Sequence, residues 1–238
     1  MSLSIKTPLL ESAPLSRING TRVWLKVEAM QPSGSFKIRG IGHACEHHVS
    51  RGAKRLISSS GGNAGLAVAY AGRKLDVPVV VIVPETTSER ARHLLGQEGA
   101  EVIVHGKSWF EANEFALSLK TSHDAYLHPF DDPLLWHGHA SMIDEVVAGG
   151  LRPGAVIVSV GGGGLLAGVA EGMQRNDLDD VPIYAAETEG MASFSASIKA
   201  GRLVQLPKLF GVATSLGAPQ VCQRAFELAG ANGTAGWG

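Results

Sequence analysis

Ala155-Val156-Ile157-Val158-Ser159-Val160-Gly161-Gly162-Gly163-Gly164 carries a short apolar run straight into four glycines, and Leu165 to Met173 continues in a helical pattern. A run of this kind reads as a strand. A helix opening at its end completes the βα unit of an open parallel sheet. The same order recurs earlier: Leu56-Ile57-Ser58, then Ser59-Ser60-Gly61-Gly62, then a helix over Asn63 to Leu75. Outward from these two units the alternation persists. Strands are predicted at 23–27, 77–83, 101–104, 126–128 and 181–186, and helices at 35–49, 88–95, 109–120, 141–147 and 221–228. Ser35 is the expected N-cap of the first of those helices, behind the turn Pro32-Ser33-Gly34. The fold class is therefore α/β, with open and mainly parallel sheets.

Composition narrows the function. A length of 238 residues allows one large domain or two small ones. Lysine and arginine number 21 against 22 acids, a net charge of −1. That balance excludes a binder of nucleic acid driven by charge. Two cysteines, Cys45 and Cys222, cannot frame a disulfide scaffold and suit a reducing, cytoplasmic compartment. No apolar run approaches the ~18 residues that a membrane-spanning helix needs. Met1 to Lys6 opens without the apolar core of a signal peptide. His137-Gly138-His139 has the spacing of a metal pair on a strand, but no partner motif accompanies it. Glu28, Glu187 and Glu189 read as isolated surface or supporting acids. Glycine is the unusual number: 30 of 238 residues, about 13% against a usual ~7%. The segment Gly230 to Gly238 holds several of them without a period and reads as irregular.

Three segments carry chemistry. In Ser33-Gly34-Ser35-Phe36-Lys37-Ile38-Arg39-Gly40, the lysine falls in the first helical turn. The helix dipole disfavours a cation there, and burial would push the amine toward its neutral, nucleophilic form. The plain alternative is a surface lysine. In Ser58-Ser59-Ser60-Gly61-Gly62-Asn63-Ala64-Gly65, small residues leave backbone amides free to hold a carboxylate, and Asn63 adds a side-chain amide. A bare βα turn is the alternative. The run Gly161 to Gly164 is longer than a turn requires, which suggests that a ligand phosphate approaches the backbone closely. No Lys-Ser/Thr follows, so it is not a P-loop. A lysine nucleophile, a carboxylate cradle and a phosphate cradle together describe an amino acid joined to pyridoxal phosphate.

The chain also resembles a known family. Thr7-Pro8-Leu9, Gln31 to Gly40, Ser59 to Gly65, Pro129-Phe130-Asp131-Asp132-Pro133, Gly138-His139-Ala140-Ser141, Gly161 to Gly164 and Ala186-Glu187-Thr188 are similar to stretches of the catabolic serine/threonine dehydratases, fold type II pyridoxal-phosphate enzymes. The resemblance implies two open α/β domains: a large cofactor-binding one over 1–41 and 136–238, and a small one inserted over 42–135. It implies that Lys37 holds the cofactor as a Schiff base and that Phe36 packs near its ring. Asn63 would bond the ring's 3′ oxygen, and Gly161, Gly162, Gly163 and Gly164 the phosphate. Ser60, Gly61, Gly62 and Ala64 would take the substrate carboxylate. A monovalent cation such as K+ would sit near Gly161, Glu187, Leu216 and Ala218.

The activity implied is β-elimination from L-serine or L-threonine, giving pyruvate or 2-oxobutanoate plus ammonia, in a homodimer. The family continues past the last matched helix, so the large domain is expected to be incomplete at its C-terminus. Alternatives are a serine racemase or β-replacement synthase of the same fold, and an inactive cofactor-binding partner of a longer subunit. Racemisation wants an acid or base on the opposite face of Cα, and the glycines and alanine after Ser60 offer no second hydroxyl there. A nicotinamide dehydrogenase would place Glu187 about 20 residues past a glycine fingerprint, but leaves Lys37 and Asn63 unexplained.

Overall fold

The computed structural model describes residues 2–231 and 235–237. A short antiparallel pair comes first, β1 (Leu9–Glu11) with β2 (Trp24–Lys26), around the helix α1 (Ala13–Asn19). Then follow α2 (Lys37–Ser50), β3 (Arg55–Ser58), α3 (Asn63–Leu75), β4 (Val79–Val83), α4 (Glu89–Gln97), β5 (Glu101–Val104), α5 (Trp109–Ser118) and β6 (Asp124–Leu127). These strands make one parallel sheet in the order β5-β4-β3-β6. All five residues of β4 are buried, because α3 covers one face of the sheet and α5 the other. Burying each such side chain is worth about 1.5–3 kcal/mol.

The helix α6 (Pro133–Ala148) leads into β7 (Val156–Ser159), α7 (Gly164–Arg175), β8 (Ile183–Ala186), α8 (Ser193–Ala200), α9 (Gln223–Ala231) and β9 (Ala235–Trp237). A second parallel sheet follows the order β7-β8-β9. The helix α6 lies between α2 and α7. Glycines let these helices close: a Cβ on Gly138 would lie 2.4 Å from the Arg39 carbonyl, and one on Gly168 2.4 Å from the His139 Cβ. The predicted boundaries at 41/42 and 135/136 fall inside α2 and α6, each of which is one continuous helix.

Three expectations need correction. Ser35 is not a cap. Phe36 occupies the N-cap position with helical dihedrals and no side-chain bond, and the Ser35 hydroxyl is buried without a partner. The turn from Gln31 is already wound, with Gly34 at φ +78°, so the helix is entered through a bend. The stretch read as irregular contains β9, whose backbone pairs in parallel with β8 at Tyr184, Ala185 and Ala186. An unpaired sheet edge can recruit a segment with no strand pattern of its own. The rest of that stretch, 232–234 and 238, lies outside the described residues. Finally, His137 and His139 sit on α6 rather than on a strand, so they point apart: His137 pairs with Glu171, while His139 is buried.

Candidate functional site

In the order β5-β4-β3-β6 the chain runs outward from β3 to β5, then returns to the other side of β3. Ligands of open parallel sheets bind at such a reversal, beyond the carboxyl ends of the strands. Ser58 pairs with Leu127, so the turn that begins at Ser59 and the segment that begins at His128 leave the sheet side by side.

The first turn is braced from below. The Ser59 hydroxyl donates to Asn113 Oδ1 at 2.9 Å and lies 2.9 Å from the Tyr126 hydroxyl, which also donates to Asn113. A Cβ on Gly65 would fall 1.8 Å from the Ser60 carbonyl, so only glycine lets α3 start this close to the turn. The Gly62 amide donates to Ser60 Oγ at 3.3 Å. The amides of Gly61, Asn63 and Ala64 donate to nothing among the described residues, and the exposed Asn63 side chain has no partner there. These are free donors on one concave turn at a helix start, as a carboxylate requires.

Lys37 is the first residue of α2. Its Nζ donates to the Pro129 carbonyl at 2.5 Å, which brings the amine to the segment leaving β6. Burial pushes the ammonium from lysine's usual 10.5 down to about 8. An appreciable neutral fraction therefore exists near physiological pH, the state a nucleophile or base needs. Phe36 packs edge-on against His139, with ring centroids 5.0 Å apart.

The second turn reveals a different use of glycine from the one expected. Each missing side chain is replaced by protein. A Cβ on Gly162 would sit 2.3 Å from the Phe130 ring, and one on Gly164 2.5 Å from the Phe130 carbonyl. On Gly161 it would meet the Leu216 carbonyl at 2.7 Å. On Gly163, at φ +91°, it would meet Ala225 at 2.5 Å. The run is glycine because its neighbours have closed on it. The amides of Gly161, Gly162, Gly163 and Gly164 nevertheless donate to no acceptor among the described residues. They stand at the start of α7 and fit a phosphate. Phe130 thus joins Lys37 to this turn: Pro129 holds the amine and the next residue fills the glycines.

Behind Lys37 lies an ion cluster that sequence reading did not assign. Arg39 is 1% exposed and bonds Glu28 at 2.7 Å and Glu145 at 2.7 Å. Lys26 and Thr7 complete it. Burial works against each charge here, but the hydrogen bonds outweigh it, holding Arg39 above and Glu28 and Glu145 below their ordinary values. Removing one partner from such a cluster costs roughly 3–5 kcal/mol. It ties the N-terminal segment and α6 to the helix that carries Lys37. Glu187 accepts the Phe194 and Ser195 amides at 2.9 and 2.8 Å, capping the first turn of α8; Ala218 is buried, and the Leu216 carbonyl lies against Gly161. No helix among the described residues is long and apolar enough to cross a membrane.

Comparison with known proteins follows the same lines. A family described as "Pyridoxal-phosphate dependent enzyme" matches residues 2–236. The human protein named "Serine dehydratase-like" is 52% identical over 227 residues, which are 94% of this chain and 68% of that protein. The human "L-serine dehydratase/L-threonine deaminase" is 48% identical over 229 residues, 95% of this chain and 70% of that one. A crystal structure of a fungal L-serine ammonia-lyase from Rhizomucor miehei superposes with a TM-score of 0.90 at 37% identity, covering 99% of this chain and 76% of that one.

Proposed function

The chain belongs to the pyridoxal-phosphate dependent enzymes, and from that premise we propose that it is an ammonia-lyase that eliminates water from L-serine and L-threonine. The products are ammonia with pyruvate or 2-oxobutanoate. The observation that carries the reading is one contact: Lys37 Nζ on the Pro129 carbonyl, whose neighbour Phe130 packs into the four-glycine turn. It sets a neutral-leaning amine beside a phosphate cradle, with a carboxylate cradle leaving the adjacent strand.

Roles follow from those positions. The amides of Gly161 to Gly164 would hold the cofactor phosphate, Asn63 would bond the ring oxygen, and Phe36 would pack near the ring. Pyridoxal phosphate, when bound, withdraws electrons from the substrate Cα. Lys37 would hold the cofactor, and its neutral amine would be the group that accepts the substrate Cα proton. The amides of the turn from Ser60 to Ala64 would fix the substrate carboxylate and so orient the substrate. A K+ ion bounded by the region of Gly161, Glu187, Leu216 and Ala218 would stiffen the phosphate turn. The larger domain comprises 1–41 and 136–238 and the inserted one 42–135, in a cytoplasmic homodimer.

The test is release of 2-oxo acid from L-serine by the chain loaded with pyridoxal phosphate. Lys37→Ala abolishes it; a variant with full activity overturns the reading. Cofactor uptake by the apoprotein is expected to accelerate as pH rises through about 8, because only the neutral Lys37 amine attacks the aldehyde. A midpoint near lysine's ordinary value would place the amine in water instead.

A further inference from the structure

We propose that His128 receives the side-chain hydroxyl of the substrate and thereby sets the preference of the site for β-hydroxy amino acids. The inference rests on the elimination reading above and goes further, to the third point of substrate contact. An α-amino acid presents three groups around Cα. Lys37 and the cofactor take the amine, and the turn from Ser60 takes the carboxylate. The side chain remains.

His128 stands between those two anchors. It leaves β6 beside Ser59 by the register of the parallel pair, and its successor Pro129 carries the carbonyl that holds Lys37 Nζ. Its ring is locked. Nδ1 accepts the Asp131 amide at 2.8 Å and the Phe130 amide at 3.3 Å. A neutral imidazole that accepts at Nδ1 carries its proton on Nε2. Burial, helped by the nearby Lys37 charge, pushes its pKa down to about 4, so the ring is neutral at physiological pH.

That leaves one donor, the Nε2–H. It has no partner among the described residues, and it is not one of the sealed polar atoms, so it opens outward. Aromatic rings flank the imidazole, all edge-on, with centroid separations of 4.7 Å for Phe130, 6.2 Å for Trp109 and 6.3 Å for Tyr126. A single neutral donor between apolar walls recognises a hydroxyl oxygen. It gives a carboxylate side chain no counter-charge, and a methyl group leaves it unpaired. Sites built to bond a substrate hydroxyl reject the analogue that lacks it.

The experiment titrates the holoenzyme with L-serine and with L-alanine, following the cofactor's absorbance, in the unsubstituted chain and in His128→Phe and His128→Gln. The unsubstituted chain is expected to prefer serine by about tenfold or more, the worth of one buried hydrogen bond. His128→Phe, compared at saturating pyridoxal phosphate, brings the preference to within about threefold and lowers kcat/KM for serine. His128→Gln, whose amide also donates, recovers part of the preference. Undiminished serine preference in both variants overturns the inference alone. A chain that takes up no pyridoxal phosphate overturns the function and this inference with it.

Discussion

The turns at 59–65 and 160–164 look alike in sequence and differ in what fills the space beside them. Around Gly161 to Gly164, protein atoms occupy every position a Cβ would take: Phe130, the Leu216 carbonyl and Ala225. In the first turn a Cβ on Gly61 would meet Thr87 at 2.8 Å and one on Gly65 the Ser60 carbonyl at 1.8 Å, but around Gly62 nothing lies closer than the Ser60 hydroxyl at 4.0 Å, and Asn63 is exposed. Both turns offer unpaired amides at a helix start. The second is walled so that its amides keep one geometry, which suits a resident phosphate. The first is braced underneath by Ser59, Asn113 and Tyr126 but open at Gly62 and Asn63, which suits a substrate that must enter and leave.

The sharpest way to break this contrast is Gly162→Ala. The new methyl would lie 2.3 Å from the Phe130 ring. Overpacking of this kind costs about 1–3 kcal/mol, and the displaced amides lower cofactor affinity by about 100-fold. Urea unfolding and equilibrium cofactor titration check both effects. Adding Phe130→Ala should restore part of the affinity, since the two changes share one contact. Unchanged affinity in Gly162→Ala would show that the wall gives way. Next comes Gly65→Ala. Its methyl meets a backbone carbonyl at 1.8 Å, so the turn itself must move. We expect KM for serine to rise about tenfold or more, while cofactor affinity changes less than in Gly162→Ala.

Much of this was legible because the period of the apolar residues is local information. Glu101–Val104 and Asn63–Leu75 end where the pattern places them, and both glycine turns open helices as read. What the sequence hid is contact across the fold. The four glycines were read as ligand space, yet Phe130, distant in sequence, fills it. Gly138 and Gly168 looked like parts of motifs, and their immediate reason is the close crossing of α6 with α2 and α7. Glu28 read as an isolated acid because its partner Arg39 reaches it only once α2 is docked. The segment 129–133 carries the family resemblance, but its sequence alone assigns it no role. Its role depends on the register of β3 with β6, which no single strand announces. Helices α1 and α8 have no counterpart among the predicted elements; at seven and eight residues they are the shortest α-helices among the described residues, too short for a period to stand out.

The brace under the first turn predicts a smaller effect. Tyr126→Phe removes one hydroxyl from the Ser59 and Asn113 contacts. The bond between the other two survives, so stability should fall by about 0.5–1.5 kcal/mol. Looser amides should raise KM for serine about threefold, with kcat less affected. Equal losses in kcat and KM terms would mean that the brace acts on the reacting groups rather than on the open turn.

The smallest effect is expected at Gly62→Ala, and it sharpens the contrast most directly. Its chemistry is the same as that of Gly162→Ala: one methyl on a glycine beside free amides. The surroundings differ, because the nearest atom here is the Ser60 hydroxyl at 4.0 Å. No neighbour has to move, so unfolding free energy should change by less than about 1 kcal/mol and cofactor affinity should hold. The methyl instead projects into the space kept for the substrate, so KM for serine should rise by a factor of about two to five. If Gly62→Ala loses as much stability as Gly162→Ala, then both turns are closed by protein, and the division between a resident and an exchanging cradle fails.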